Sequence, residues 1–114
     1  MTEKGLKYLS DIKESIEWIE NFTSSIRTYS DYIADKKTQS AVERQLSIIG
    51  EAVNKFDAIH PEISLKYAGK IIGFRNRLIH AYDAIDSSIV WAILQNHIKP
   101  LKAEIDKIIS SERD

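Results

Sequence analysis

Apolar residues recur every three or four positions through almost the whole chain, a spacing that predicts helices. From about Lys4 to about Arg27, Leu9, Ile12, Ile16, Ile19, Phe22 and Ile26 share one helical face. Glu14, Glu17 and Glu20 fall mostly on the other. Thr28 to Lys37 is polar and rich in Asp and Ser, and Tyr29, Tyr32 and Ile33 give it one or two amphipathic turns. A second long helix is predicted from about Lys37 to Asp57, with a stripe of Ala41, Val42, Gln45, Ile48, Ile49, Ala52, Val53 and Phe56. His60-Pro61-Glu62 ends it, because proline disfavours helical geometry in the residue before it. The third long helix is predicted over Ser64 to Ala81, with Gly69 or Gly73 offering a kink. Asp86-Ser87 supplies an N-cap for a helix over Ser88 to His97, which Pro100 bends or breaks. A last helical piece, Leu101 to Ile109, carries Leu101, Ile105, Ile108 and Ile109.

Short connections place neighbouring helices antiparallel. The expected fold is therefore an all-α, up-down bundle of four to five helices, one domain over residues 1–114. Gly50 and Gly73 interrupt helical patterns, where glycine costs about 1 kcal/mol relative to alanine. That cost predicts a packing reason, such as close approach of two backbones. There is no internal repeat, low-complexity tract or linker.

Composition narrows the class. Four Gly and two Pro are too few for the turns of an all-β domain. With 43% hydrophobic and 29% charged residues, the chain suits a folded globular protein. The absence of Cys excludes disulfides, Cys-ligated zinc and thiol nucleophiles. Met1-Thr2-Glu3-Lys4-Gly5 leads into a charged amphipathic segment with no secretory apolar region, and no stretch is apolar enough to span a bilayer. The expectation is a cytoplasmic protein without membrane contact. A net charge of −1 argues against a protein that coats nucleic acid nonspecifically, so any such contact must be local. From Ile63 to Tyr82 there is no Asp or Glu, while Lys66, Lys70, Arg75 and Arg77 are all present. A solvated basic helix face would also look like this.

The overlap of that stretch with Arg75-Asn76-Arg77-Leu78-Ile79-His80-Ala81-Tyr82 shifts the balance toward an anion site. Arginine can hold a phosphate in a bidentate grip, and histidine can move a proton near neutral pH. On an ideal helix Asn76 and His80 share a face, and Arg77 lies near His80. Arg75 is offset from His80 by roughly 140°, and Tyr82 is nearly opposite His80. One straight helix thus holds the parts without closing a site. A kink or a second subunit on a two-fold axis would each bring them together.

The pattern R-x-x-x-x-H-x-Y, carried by Arg75, His80 and Tyr82, resembles the signature of the HEPN superfamily, and specifically of HepT-like toxins. Asn76, directly after the arginine, fits it too. Glu43-Arg44 with Ile48-Ile49-Gly50-Glu51-Ala52 is similar to the family's second helix. Asp83-Ala84-Ile85-Asp86, Val90-Trp91 and Pro100-Leu101-Lys102 are similar to its C-terminal part. The resemblance implies a helical, homodimeric ribonuclease whose motifs meet in a cleft at the dimer interface. It also implies a small nucleotidyltransferase antitoxin, encoded beside it, that transfers AMP onto Tyr82, and tRNA as a substrate by analogy.

The chemistry of the residues is compatible with this. RNA carries its own nucleophile, the 2′-hydroxyl. A metal-free enzyme then has to move a proton, stabilise negative charge on phosphorus and hold an in-line geometry. His80 suits the general acid or base, and Arg75 the transition-state charge. Asn76 can orient His80 or a phosphate oxygen, and Tyr82 can contact phosphate. Arg77 and Lys70 suit RNA binding better than catalysis. No cofactor is called for. Glu43 and Glu51 share a helix face but lack the Glu-x-x-His partners of a two-metal bundle site, and Glu51 is expected to pair with a cation. His60 and His97 read as structural; Tyr8, Tyr29, Tyr32, Trp18 and Trp91 read as core or interface aromatics. The rival function is a non-catalytic helical partner of a nucleotidyltransferase, with the basic face holding nucleotide or partner.

Overall fold

The structure, a computed structural model, describes residues 1–80 and 86–113. Six helices make up those residues: α1 (Glu3–Phe22), α2 (Tyr29–Ala34), α3 (Lys36–Ile59), α4 (Gly69–His80), α5 (Ser87–Asn96) and α6 (Ile98–Arg113). The bundle is all-α, as the periodicity predicts, but with six helices rather than four to five. Two local features account for the difference. The polar stretch after α1 contains a full capping box: Asp31 N–H donates to Thr28 Oγ1, while Asp31 Oδ2 accepts from Thr28 N–H, which suffices for the short α2. In the C-terminal half the chain breaks at His97, not at Pro100. Pro100 sits in the first turn of α6, where its missing N–H has no intrahelical acceptor to lose.

Other boundaries shift for similar reasons. α1 stops at Phe22 rather than Arg27, because Thr23 caps it: its N–H and its hydroxyl both donate to Ile19 O, at 3.0 and 2.8 Å. α4 begins at Gly69 rather than Ser64. A carboxylate from α6 intervenes, with Glu104 accepting from the N–H groups of Lys66 and Tyr67 at 2.8 and 3.2 Å. That capture holds the segment as turns and brings Leu65 and Ala68 into the core.

α1 and α3 form the centre, with α4 against α3 and α6 against α1. Leu9, Ile12, Ile16 and Ile19 of α1 are buried against Val42, Leu46, Ile49, Val53 and Phe56 of α3. Ile71 and Phe74 of α4, Val90 and Ile93 of α5, and Leu101 and Ile105 of α6 complete the core. The predicted stripe is mostly right, but Phe22, Ile26, Ala41, Gln45 and Ile48 are only half-buried, while Leu46 is fully buried. Ion pairs Lys13–Asp106 and Lys102–Glu20, with Met1 N–Glu112, show that α1 and α6 run antiparallel.

Two buried polar residues tie elements together. Gln39 donates from Nε2 to the carbonyls of Tyr32 and Ile33, both at 2.9 Å, and accepts from Ser87 Oγ, joining α2, α3 and α5. His60 behaves as the structural histidine expected. Its Nε2 faces the N–H and Oγ1 of Thr2, its Nδ1 faces Glu62, and its ring packs on Phe56. A Cβ on Gly5 would lie 2.6 Å from that ring, so only glycine lets the start of α1 close on the end of α3. No described helix is long and apolar enough to cross a membrane.

Candidate active site on helix α4

Helix α4 runs without a break from Gly69, its first residue, to His80, so Gly73 does not interrupt it. Lys70, Arg75, Asn76 and Arg77 therefore lie on one helix, with His80 as its last residue, one turn beyond Asn76. Tyr82 lies outside the described residues. The segment stays helical because Ile71 and Phe74 bury their side chains against α3 and α5, leaving the polar residues at the margins.

The margins differ. Arg75 leaves α4 on the side of α3 and is half-buried. Its stem lies on Gly50: a Cβ added there would meet Arg75 Cβ at 2.8 Å, Cγ at 3.1 Å and Cδ at 3.5 Å. This is the close approach predicted for a mid-helix glycine. It does not hold for Gly73, around which nothing lies within 4 Å of an added Cβ.

Arg77 follows Arg75 by two residues, hence by about 200° around the helix. It leaves on the side of α5, where Lys70, Gly73 and Arg77 line one wall of a groove of about 420 Å³. Asn76 is exposed. The structure thus brings Lys70 and Arg77 together and separates them from Arg75. Among the described residues none of these three cations has a carboxylate at salt-bridge distance. Arg77 does feel Asp86, the N-cap of α5. The hydrogen bonds from Ser88 Oγ and N–H, helped by Arg77, hold the Asp86 carboxyl below its usual range.

Other titratable candidates lie apart from this site. Glu51 pairs with Lys55 at 3.3 Å, as expected. Burial pushes the carboxyl of Glu43 up, partly offset by Lys36. Among the described residues no group of three His, Asp or Glu side chains is arranged to hold a metal ion. The aromatic expectations divide: Tyr32 is fully buried against Trp91, whereas Trp18 is exposed and stacks on Phe22. His97 lies at a helix end as expected, capping α5. It stands at the rim of the α4–α5 groove with Lys70 and Arg77, a neighbourhood set by how α5 folds back on α4 and invisible in the local sequence.

Comparison with known proteins finds relatives named as ribonucleases. A Thermococcus cleftensis protein named "Probable ribonuclease HepT" is 43% identical over 89% of this chain and 92% of its own. A Methanocaldococcus jannaschii protein whose name is "Putative RNase" is 37% identical over 96% of this chain and 91% of its own. A third, from Caldanaerobacter subterraneus and named in the same way, is 29% identical over 93% of this chain and 95% of its own. No solved structure matches the chain significantly. The family described as "Ribonuclease HepT-like" matches residues 12–108, which carry the whole of α4 and the seat of Arg75 on α3, and the chain belongs to that family.

Proposed function

We propose that this protein is a metal-independent ribonuclease that acts as a homodimer, the toxin of a pair whose antitoxin is a small nucleotidyltransferase. Cellular RNA is its substrate, with tRNA the first to test. The observation that carries the reading is Arg75, seated on Gly50 and half-buried on the same unbroken helix that ends in His80, in a chain of the HepT-like ribonuclease family.

The chemistry assigned is transesterification. The RNA 2′-oxygen attacks the adjacent phosphorus and gives up its proton, the bond from phosphorus to the 5′-oxygen breaks, and that oxygen takes a proton. The products are a 2′,3′-cyclic phosphate and a 5′-hydroxyl. His80 is the proton-transfer group. Arg75 faces the charge that grows on the phosphoryl oxygens, a role favoured by a guanidinium whose stem is already immobilised. Asn76 orients His80 or a phosphate oxygen, and Arg77 and Lys70 hold flanking phosphates.

A second copy supplies what one helix lacks, since Arg75 and the Asn76 face point in different directions. A two-fold axis near α4 sets one protomer's arginine against the other's histidine. In the regulatory step the Tyr82 oxygen attacks the α-phosphorus of ATP, pyrophosphate leaves and the phenolic proton is lost. The added phosphodiester then blocks RNA by bulk and by negative charge.

The test is cleavage of total RNA in EDTA by the purified protein and by His80→Ala. The variant is expected to lose activity by about 10²-fold or more while remaining folded. Equal cleavage by both overturns the catalytic assignment, and an active monomer at micromolar concentration overturns the shared site. A parent protein that leaves RNA intact but binds the nucleotidyltransferase is the non-catalytic partner instead.

A further inference from the structure

We propose that the groove between α4 and α5 seats one nucleotide of a single-stranded RNA substrate, with Arg77 and Lys70 on its phosphates and His97 against its base. This rests on the ribonuclease reading above and adds to it a substrate-binding subsite and a further residue, His97.

The groove is built from two kinds of wall. Its floor is the edge of the core, with Phe74 4% and Ile93 2% exposed, and Ile89 and Ala92 close the α5 side. Its rim carries Lys70, Arg77 and His97 and, among the described residues, no acidic side chain. Lys70 and Arg77 are two helical turns apart, about 10.5 Å along the axis, so a nucleotide lying along the groove meets a cation at each end. An apolar slot flanked by cations is how single-stranded nucleic acid is held without duplex geometry: the base leaves water and the phosphates are neutralised. His97 caps the C-terminus of α5 and stands where a base edge lies, and an imidazole can both donate to and accept from that edge.

Size alone does not single out this groove. A second one, between α1 and α3, has about 410 Å³. It is lined by Asp11, Glu14 and Glu51 together with Lys7 and Lys55, and Asp11 and Glu51 already hold those lysines. A polyanion gains little there. In the α4–α5 groove neither Lys70 nor Arg77 is held by a carboxylate among the described residues. Among the described residues, the acid that Arg77 acts on, Asp86, is engaged by Ser88.

The experiment measures binding, not cleavage. In a His80→Ala background, a short fluorescent single-stranded RNA is titrated in EDTA against the protein and against added Ala92→Phe or Arg77→Ala. Ala92 is exposed, so phenylalanine there enters the groove from the α5 side without displacing the core. Ala92→Phe is expected to weaken RNA binding about tenfold or more. Arg77→Ala is expected to weaken it and to lower the slope of log K against log salt by about 0.7, one phosphate contact on a single strand. RNA affinity unchanged in both variants overturns the inference. So does an affinity loss that follows dissociation of a dimer in light scattering, which marks the groove as an interface between copies. AMP displacing RNA at concentrations near the RNA Kd also overturns it, in favour of a free-nucleotide site. Cleavage by the His80-containing protein, with KM unmoved by Ala92→Phe, leaves the ribonuclease reading standing and removes only the groove. A parent that neither binds nor cuts RNA removes both.

Discussion

Replacing Gly50 with alanine tests whether close packing sets the position of Arg75. The new methyl would stand 2.8 Å from Arg75 Cβ and 3.1 Å from its Cγ. Carbon atoms prefer about 3.5–4.0 Å, so the gap must widen by roughly 0.7 Å. Arg75 Cβ is fixed to the backbone and no rotamer change moves it, so α4 itself has to shift away from α3. Two terms compete in stability. Alanine in a helix interior gains about 1 kcal/mol over glycine, and overpacking a tight contact costs about 1–3 kcal/mol. The net expectation is a loss of about 0–2 kcal/mol, or a fall in Tm of up to roughly 10 °C for a domain of this size. Gly73→Ala provides the reference, because a Cβ there meets nothing within 4 Å and only the propensity gain remains. Thermal unfolding by circular dichroism should therefore place Gly50→Ala below the parent and Gly73→Ala above it. The rate should respond more strongly than the stability, because displacing a catalytic group by about 1 Å can cost 10²-fold. RNA cleavage in EDTA by Gly50→Ala, assayed well below its Tm, is expected to fall at least tenfold. A Gly50→Ala protein as stable as Gly73→Ala and fully active would refute the claim that this contact positions Arg75.

Two other outcomes follow from the structure and one from the proposed function. Glu104→Ala removes the acceptor of two backbone N–H groups ahead of α4 and should destabilise the fold by about 1–2 kcal/mol in urea, with Glu104→Gln losing less; no change in midpoint would mean that water replaces the carboxylate without cost. The Asp86 carboxyl is held below its ordinary value of 3.8, chiefly by Ser88, so its contribution is fully present above that value and is lost as pH falls through the lower, folded-state value. Asp86→Asn keeps an N-cap acceptor and should flatten that part of the acid unfolding curve, and an unaltered curve would contradict the assignment. If the proposed antitoxin pairing holds, Tyr82→Phe should resist AMP transfer from ATP by that nucleotidyltransferase, read by intact-mass spectrometry, whereas an equal adduct on the variant would move the modification elsewhere.

Much of the fold was legible because it rests on local periodicity. The stripes of Leu9, Ile12, Ile16 and Ile19 and of Val42, Ile49, Val53 and Phe56 were sufficient to place α1 and α3. What sequence alone missed came from contacts between distant residues. Glu104 shortens α4 from thirty-eight and thirty-seven positions away, and a pattern confined to Ser64–Ala68 cannot register it. Gln39 was unremarkable as a polar residue in the first turns of α3, yet it is buried and joins three helices. The candidate site divides in the same way. The motif named Arg75, Asn76 and His80, and glycine in a helix pointed to a close approach at position 50. The partner of that glycine, and the place of His97 beside Lys70, depend on tertiary packing.

The angle between Arg75 and Arg77 organises the functional argument. Two arginines about 200° apart on one helix cannot grip the same phosphate from the same side. The stem of Arg75 is seated on Gly50 from Cβ to Cδ, and under the proposed function an arginine with a held stem suits transition-state charge, because less reorganisation is left when that charge appears. Arg77 is exposed beside an apolar slot, and an exposed cation suits ground-state binding, where flexibility is tolerable and salt screens the contact. The two substitutions should then separate kinetically. Arg75→Ala removes an interaction made in the transition state and should lower kcat, whereas Arg77→Ala removes one made equally before and during reaction and should raise KM. The same division bears on the dimer. If the partner's histidine meets Arg75 on the α3 side, RNA must cross α4 to reach the slot on the α5 side, and the exposed Asn76 lies on the face between them.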